Sequence, residues 1–291
     1  MDERAALALL ETELEPAGDD AAVVGDLVIT TDMLHERTDF PAGTAHYTAG
    51  WRAVGASLSD VAAMGAQATA AVAVYAAPAF DAEELLAFVR GASDVCEAVG
   101  AAYVGGDLDD HTELTVATTA IGHLETDPAL RSGATPGEVV CVTGTLGRSA
   151  AALDLFARGD LERANTLFRF EPRVGAGCAL AAHAGAMMDS SDGLARSLHQ
   201  LSEASGCGFA IESARLPVDD ALFETAEDEA AALEAATTFG EDFELVFTLP
   251  DAAVADLAAE LDVPISVVGE VCEPESVTMD GEALADVGYT H

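Results

Sequence analysis

Short apolar or β-branched runs bounded by Gly, Pro and Asp recur along this chain, interleaved with alanine-rich stretches whose apolar residues fall at helical spacing. Residues 27–31, 69–75, 102–104 and 114–122 read as strands of a first half, and 139–143, 208–211, 245–249 and 265–271 as strands of a second. Helices are predicted over 5–14, 44–65, 82–99 and 252–261, after the Gly-rich turn at 144–149, and from Leu194, with Leu198 and Leu201 on the same face. Between the halves, residues 123–137 carry Pro128, Gly133, Pro136 and Gly137, which places a domain boundary there, with domains over 1–135 and 136–291. Strands and helices are thus read in both halves. No apolar run reaches the ~20 residues a bilayer requires, and Met1-Asp2-Glu3-Arg4 opens no signal sequence.

The polar positions that interrupt this pattern are acidic and sit at element ends. Asp19-Asp20 precede the apolar 21–24, Thr30-Thr31-Asp32 end a strand, and Asp60 lies on the small-residue helix. Gly105-Gly106-Asp107 stops another strand, and Asp189-Ser190-Ser191-Asp192-Gly193 fills a strand-to-helix turn. An isolated D-x-x-D-G string most often caps a helix, and a Gly-Gly-Asp string is most often a plain turn. In company, the carboxylates and Thr hydroxyls form an all-oxygen donor set, which suits Mg²⁺ shared with phosphate oxygens better than zinc. Such a set points to nucleotide-dependent phosphoryl transfer, with the cations neutralising carboxylates and polyphosphate alike. The turn Gly144-Thr145-Leu146-Gly147-Arg148-Ser149 is only weakly like a phosphate loop, because it has neither the lysine nor the spacing.

Charge narrows the partners. The chain of 291 residues carries 52 Asp and Glu against 12 basic residues, all arginine, for a net charge of −40. Runs such as Glu227-Asp228-Glu229 read as solvated faces. Repulsion of this size is weakened when the screening length falls from about 8 Å at physiological salt to about 3 Å at 1 M, so the sequence predicts a cytoplasm rich in salt, as in halophilic archaea. It also disfavours nucleic acid and anionic membranes as partners. Without lysine, phosphate must be met by arginines such as Arg131, by cations or by backbone N–H groups. Five widely spaced cysteines, Cys96, Cys141, Cys178, Cys207 and Cys272, form no zinc or disulfide pattern and read as reduced thiols.

Seven strings in series carry a resemblance: Gly18-Asp19-Asp20-Ala21-Ala22-Val23-Val24, Thr30-Thr31-Asp32-Met33-Leu34, residues 57–65 from Ser57 to Gly65, Gly105-Gly106-Asp107, Arg131-Ser132-Gly133-Ala134, Asp189-Ser190-Ser191-Asp192-Gly193-Leu194 and Gly240-Glu241-Asp242-Phe243-Glu244-Leu245. In order and over nearly the whole chain they resemble the motifs of the thiamine-monophosphate kinase family, within the aminoimidazole ribonucleotide (AIR) synthetase-like superfamily. The resemblance implies an α/β (α+β), two-domain PurM-like fold and a homodimer built largely through the N-terminal domain. It implies transfer of the ATP γ-phosphoryl group to thiamine monophosphate, giving thiamine diphosphate. By the same resemblance, Asp20, Thr30, Thr31, Asp32, Asp60, Asp107, Asp189 and Asp192 are metal ligands for several Mg²⁺ ions. Gly106, Asp107, Arg131 and Ser191 would contact ATP, and Asp39, Glu241 and Tyr289 the substrate, with no residue acting as general base. Asp39 stands where the family usually has His, Tyr289 lies near an expected tail aromatic, and Arg52 and Ser57 replace the commoner Lys and Asn.

Sister enzymes fit less well. Selenophosphate synthetase wants a reactive Cys near the N-terminus, whereas the first cysteine is Cys96, and the hydrogenase maturation relative wants a C-terminal Cys, whereas this chain ends Tyr289-Thr290-His291. A non-catalytic acidic cation-binding protein explains the charge but not the ordered turns. The salt argument has a direct check in thermal unfolding. Raising KCl from ~0.1 M to ~1 M should raise the unfolding temperature by about 10 °C, and unchanged stability would contradict it.

Overall fold

The computed structural model describes residues 18–289 together with Leu10, Glu13 and Leu14, so the helix expected over 5–14 lies almost wholly outside the described residues. Strands β1 (Ala22–Val24), β2 (Leu27–His35), β3 (Gln67–Ala77), β4 (Ala102–Asp110) and β5 (Thr115–His123) form one sheet in the order β1-β2-β5-β3-β4. Every pairing in it is antiparallel except β3 with β4. The helical turn α1 (Glu36–Asp39) follows β2, and α2 (His46–Ala63) and α3 (Ala82–Ala98) pack with the sheet. The second sheet contains β6 (Val139–Thr143), β7 (Met187–Asp189), β8 (Gly208–Ile211), β9 (Leu245–Leu249), β10 (Ile265–Cys272), β11 (Val277–Met279) and β12 (Glu282–Ala283), in the order β12-β11-β8-β10-β6-β9-β7. Its helices are α4 (Arg148–Arg158), α5 (Leu161–Phe168), α6 (Val174–Leu180), α7 (Leu194–Ser205), α8 (Asp220–Thr225), α9 (Glu229–Thr238) and α10 (Asp251–Glu260).

Helix α2 is the piece everything else meets. Fourteen of its 18 residues are buried, so it presents no solvent face of the amphipathic kind and must be packed on nearly all sides. Small residues make that possible. A Cβ added at Gly50 would lie 2.1 Å from the Phe88 carbonyl oxygen, and one at Gly91 only 1.9 Å from that of Tyr47, so α2 and α3 cross at near backbone contact. On another side, a Cβ at Gly177 of α6 would sit 2.0 Å from the Ala62 carbonyl oxygen. Val174 and Leu180 of α6 and Met187 of β7 accordingly belong to the same core as Val54, Leu58 and Val61. The helix thus ties the second half of the chain to the first.

Several strands match the sequence reading to the residue, including β6, β8 and β9, but β4 does not stop at its glycines. Gly105, Gly106 and Asp107 continue in ladder with Val72, Ala73 and Val74, after a shift in register. The reason is steric: a Cβ at Gly106 would lie 1.7 Å from the Ala73 carbonyl oxygen, so the second glycine lets two strand backbones approach rather than making a turn. Helices α5, α6, α8 and α9 appear where the sequence reading offered none. Glu227-Asp228-Glu229, expected only as a solvated face, also starts α9, with the Asp228 carboxylate accepting from the Ala231 N–H at 2.9 Å. No helix among the described residues is long and apolar enough to cross a membrane.

The α2–α3 crossing is open to test. Gly91→Ala should lower the stability of the fold by about 3 kcal/mol, measured by denaturant unfolding, because a methyl there must push apart two backbones.

Candidate active site

Asp60 lies near the C-terminal end of buried α2, Asp20 in the bend before β1, and Asp189 at the end of β7. One carboxylate oxygen from each lies within 4.8 Å of the others. The second half of the chain therefore delivers Asp189 to two acids of the first. Hydroxyls orient the group: Thr30 Oγ1 donates to Asp60 at 2.5 Å, and Ser59 Oγ donates to the buried Asp189 at 2.6 Å. The Ser191 N–H reaches Asp189 from the other side at 3.1 Å. Arg131, from the segment between the sheets, makes a two-pronged contact with Asp20 at 2.9 and 3.3 Å, and its own N–H is held by Asp19 at 2.8 Å.

The electrostatics follow from this crowding. Burial, then the charges of Asp189, Asp20 and Asp32, push Asp60 well above the ordinary carboxylate range, with Thr30 working against them. Burial and Asp20 push Asp189 up to about 6, against the hydrogen bonds of Ser59 and Ser191. Arg131 is raised, its desolvation outweighed by Asp20, Asp189 and Asp19. Three acids with one arginine, and only oxygen donors, fit a divalent cation bound to phosphate.

The other predicted residues divide. Thr30 and Thr31 are neighbours on β2 and so face opposite sides. Thr30 is buried and turns to Asp60, whereas Thr31 is exposed and donates to the Thr118 carbonyl at 2.7 Å. Asp32, on the Thr30 side, acts on Asp60 through its charge. Gly106 and the exposed Asp107 lie on edge strand β4, three strands from β2, or about 14 Å along the sheet at ~4.8 Å per strand. They do not join the carboxylate cluster. They line a mostly apolar cleft of about 650 Å³ with Tyr75, Phe88 and Tyr103. Ser191 and Asp192 occupy the turn into α7, whose N-cap position is Gly193.

Asp39, Glu241 and Tyr289, distant in sequence, meet at one place. Tyr289 donates its hydroxyl to the Thr38 carbonyl at 3.1 Å, and burial together with Glu241 and Asp39 pushes it up to about 12. Asp39 is buried and accepts from the His35 N–H at 2.6 Å and the Thr38 hydroxyl at 2.8 Å. Glu241 pairs with Arg52 at 2.5 Å. The weak phosphate-loop reading of 144–149 gives way to an internal arrangement. Asp242 takes the Gly147 and Ser149 N–H groups at 2.5 and 2.9 Å, so a carboxylate of the chain itself holds the α4 N-terminus, and burial pushes it up to about 7.

Sequence reasoning passed over three groups: Ser59, visible only as part of its motif; Asp19, which holds the Arg131 backbone; and the bidentate Arg173–Glu244 pair at 2.6 and 2.7 Å. Glu244 also exchanges backbone and hydroxyl bonds with Ser190, which fixes the strand end that carries Asp189. Hydroxyls and pairs of this kind carry no sequence signal beyond their residue type.

Two α/β halves that bring their carboxylates together define the class. Residues 18–124 match the N-terminal domain, and 135–281 the C-terminal domain, of AIR synthase related proteins. The thiamine-monophosphate kinase of Halobacterium salinarum is 62% identical over 100% of both chains, and that of Methanospirillum hungatei 42% identical over 95% of this chain and 94% of its own. Among solved structures, AaThiL complexed with AMPPCP and TMP is similar with a TM-score of 0.88 at 27% identity, covering 100% of this chain and 97% of that one. The chain belongs to the thiamine-monophosphate kinase family.

Without a cation, the cluster should destabilise the fold at neutral pH. Because Asp60 and Asp189 have folded-state values above the unfolded 3.8, the folded chain holds protons the unfolded chain has lost, and stability falls as pH rises from about 4 through 6 and beyond. In chelator, Asp60→Asn should raise the unfolding temperature at pH 7.5 by about 3 °C and leave it nearly unchanged at pH 4. An equal shift at both values would contradict the charge argument.

Proposed function

We propose that the chain catalyses ATP-dependent phosphorylation of thiamine monophosphate to thiamine diphosphate, by direct in-line transfer of the γ-phosphoryl group. The observation that carries this is the convergence of Asp20, Asp60 and Asp189 from both halves of the chain, beside Arg131. These acids, with Thr30, Asp32 and Asp192, would hold Mg²⁺; Thr31, whose hydroxyl faces away, could join them only through its backbone, and Asp107, on the β4 edge, only in a site that a second copy completes. Bound Mg²⁺ would neutralise the carboxylates and phosphates and supply positive charge where the transferring group develops negative charge. Arg131 would turn from Asp20 toward phosphate, where its fork matches two oxygens. Ser191 and the Gly106-Asp107 strand are the proposed nucleotide contacts, the apolar cleft beside them taking the base.

Asp39, Glu241 and Tyr289 would receive the acceptor. A phosphate monoester, with its second pKa near ~6, is largely dianionic at neutral pH, so its oxygen attacks without a general base. Catalysis then rests on holding nucleophile and leaving group in line and on preorganised charge. We further propose a cytoplasmic homodimer with the first half, residues 1–135, at its centre. Met33, Val72, Val74 and Val104 are large apolar residues left exposed on that sheet, and a second copy covering them would meet the β4 edge that carries Asp107.

Purified protein in high KCl with ATP, Mg²⁺ and thiamine monophosphate should yield ADP and thiamine diphosphate in equal amounts, and none in chelator. Inorganic phosphate without thiamine diphosphate would overturn the proposal. Asp60→Asn should lower kcat by about a thousandfold while the protein stays folded.

A further inference from the structure

Arg52 is a charged residue at the centre of α2, 1% exposed, with no part in the carboxylate cluster. Burying a guanidinium is costly unless its donors are met, so what meets them is informative. Nη1 donates to the Phe168 carbonyl at 2.5 Å, and the guanidinium lies 3.6 Å above the Phe168 ring. Nη2 donates to the Glu241 carboxylate at 2.5 Å and to the Glu241 carbonyl at 3.3 Å. One arginine of the first half thus grips both the side chain and the backbone of one residue of the second.

That residue needs gripping. Glu241 has φ +60° and Phe243 φ +55°, both in the left-handed region that a residue with a side chain rarely adopts. Phe243 is held by stacking on Phe170 at 4.1 Å, whereas Glu241 is held by Arg52 and by Ser149 Oγ, which donates to the same carbonyl at 2.6 Å. On its other side the Glu241 N–H donates to the Ser191 carbonyl at 2.7 Å, so the turn lies between Arg52 and the strand-to-helix turn after Asp189.

We propose that Arg52 is a positioning residue for the phosphoryl acceptor: its pairing with Glu241 fixes the left-handed turn, and with it the place of thiamine monophosphate relative to the Ser191 turn. This rests on the reading of Glu241 as a substrate contact. Arginine suits the role better than lysine here, because a planar fork can reach Glu241 and the Phe168 carbonyl at once while stacking on a ring.

Steady-state kinetics on Arg52→Gln, Arg52→Lys, Glu241→Gln and the Arg52→Gln/Glu241→Gln double variant test it. Arg52→Gln should raise KM for thiamine monophosphate about tenfold with KM for ATP unmoved, Arg52→Lys should restore it to about threefold, and the double variant should be no worse than Glu241→Gln alone. Both KM values rising together, stability falling with neither KM changed, or multiplying effects in the double variant would each overturn it. Should Arg52→Gln fail to fold, Arg52→Lys decides: a KM for thiamine monophosphate equal to the parent's overturns the proposal, and a selective rise supports it. If Glu241→Gln alone leaves that KM unchanged, the reading of Glu241 has failed. If Glu241→Gln raises it and the Arg52 variants do not, Arg52 alone has been misjudged.

Discussion

Three carboxylates from two halves of one chain repel one another, and the fold holds them together nonetheless. Burial and mutual charge raise Asp60 and Asp189, and Arg131, the arginine beside the group, is committed to Asp20. A group of this kind is stable only if other interactions force it, because unpaired buried charge costs several kcal/mol in the effective dielectric of a protein. The forcing comes from α2. Its small residues allow backbone contact with α3 and α6, and packing on that scale fixes half-buried Asp60 within reach of Asp20 and Asp189. Gathering the three acids therefore opposes stability, a trade of stability for function.

The same helix sets the geometry of the second site region. From α2, Arg52 reaches the Glu241 turn and Ser59 reaches Asp189, two contacts that join the halves at opposite sides of the Ser191 turn. Glu244, locked to Arg173 and Ser190, holds the strand end between them. The proposed acceptor and metal regions are thus referenced to one rigid element rather than to two domains with independent positions. For a reaction whose catalysis is positioning and charge, a common reference of this kind is what the chemistry requires.

Much of this was legible beforehand, for identifiable reasons. Strands β6 and β9 are apolar, β-branched runs with sharp Gly or Pro boundaries, so period and punctuation agree. The acidic turns stood out because each lies beside apolar or small residues, unlike the acid runs of the surface. Helix α9 was not legible, since alanine and surface acids dilute its periodicity, and α5, though its apolar residues fall on one face, is only eight residues long. Gly105-Gly106 misled because a double glycine usually ends a strand, whereas here it admits the backbone of Ala73. Thr30 and Thr31 separated for a reason of geometry alone, the alternation of a strand that proved to continue to His35. The pairing of Arg52 with Glu241, 189 positions apart, had no local signal at all.

The central claim is that Asp20, Asp60 and Asp189 together bind a divalent cation. Crystals grown with Mn²⁺ and a non-hydrolysable ATP analogue, measured at the manganese absorption edge, would show it without recourse to activity. The account predicts an anomalous peak among the three carboxylates, with oxygen ligands at about 2.0–2.2 Å. Bound nucleotide with no anomalous density between these residues would contradict it.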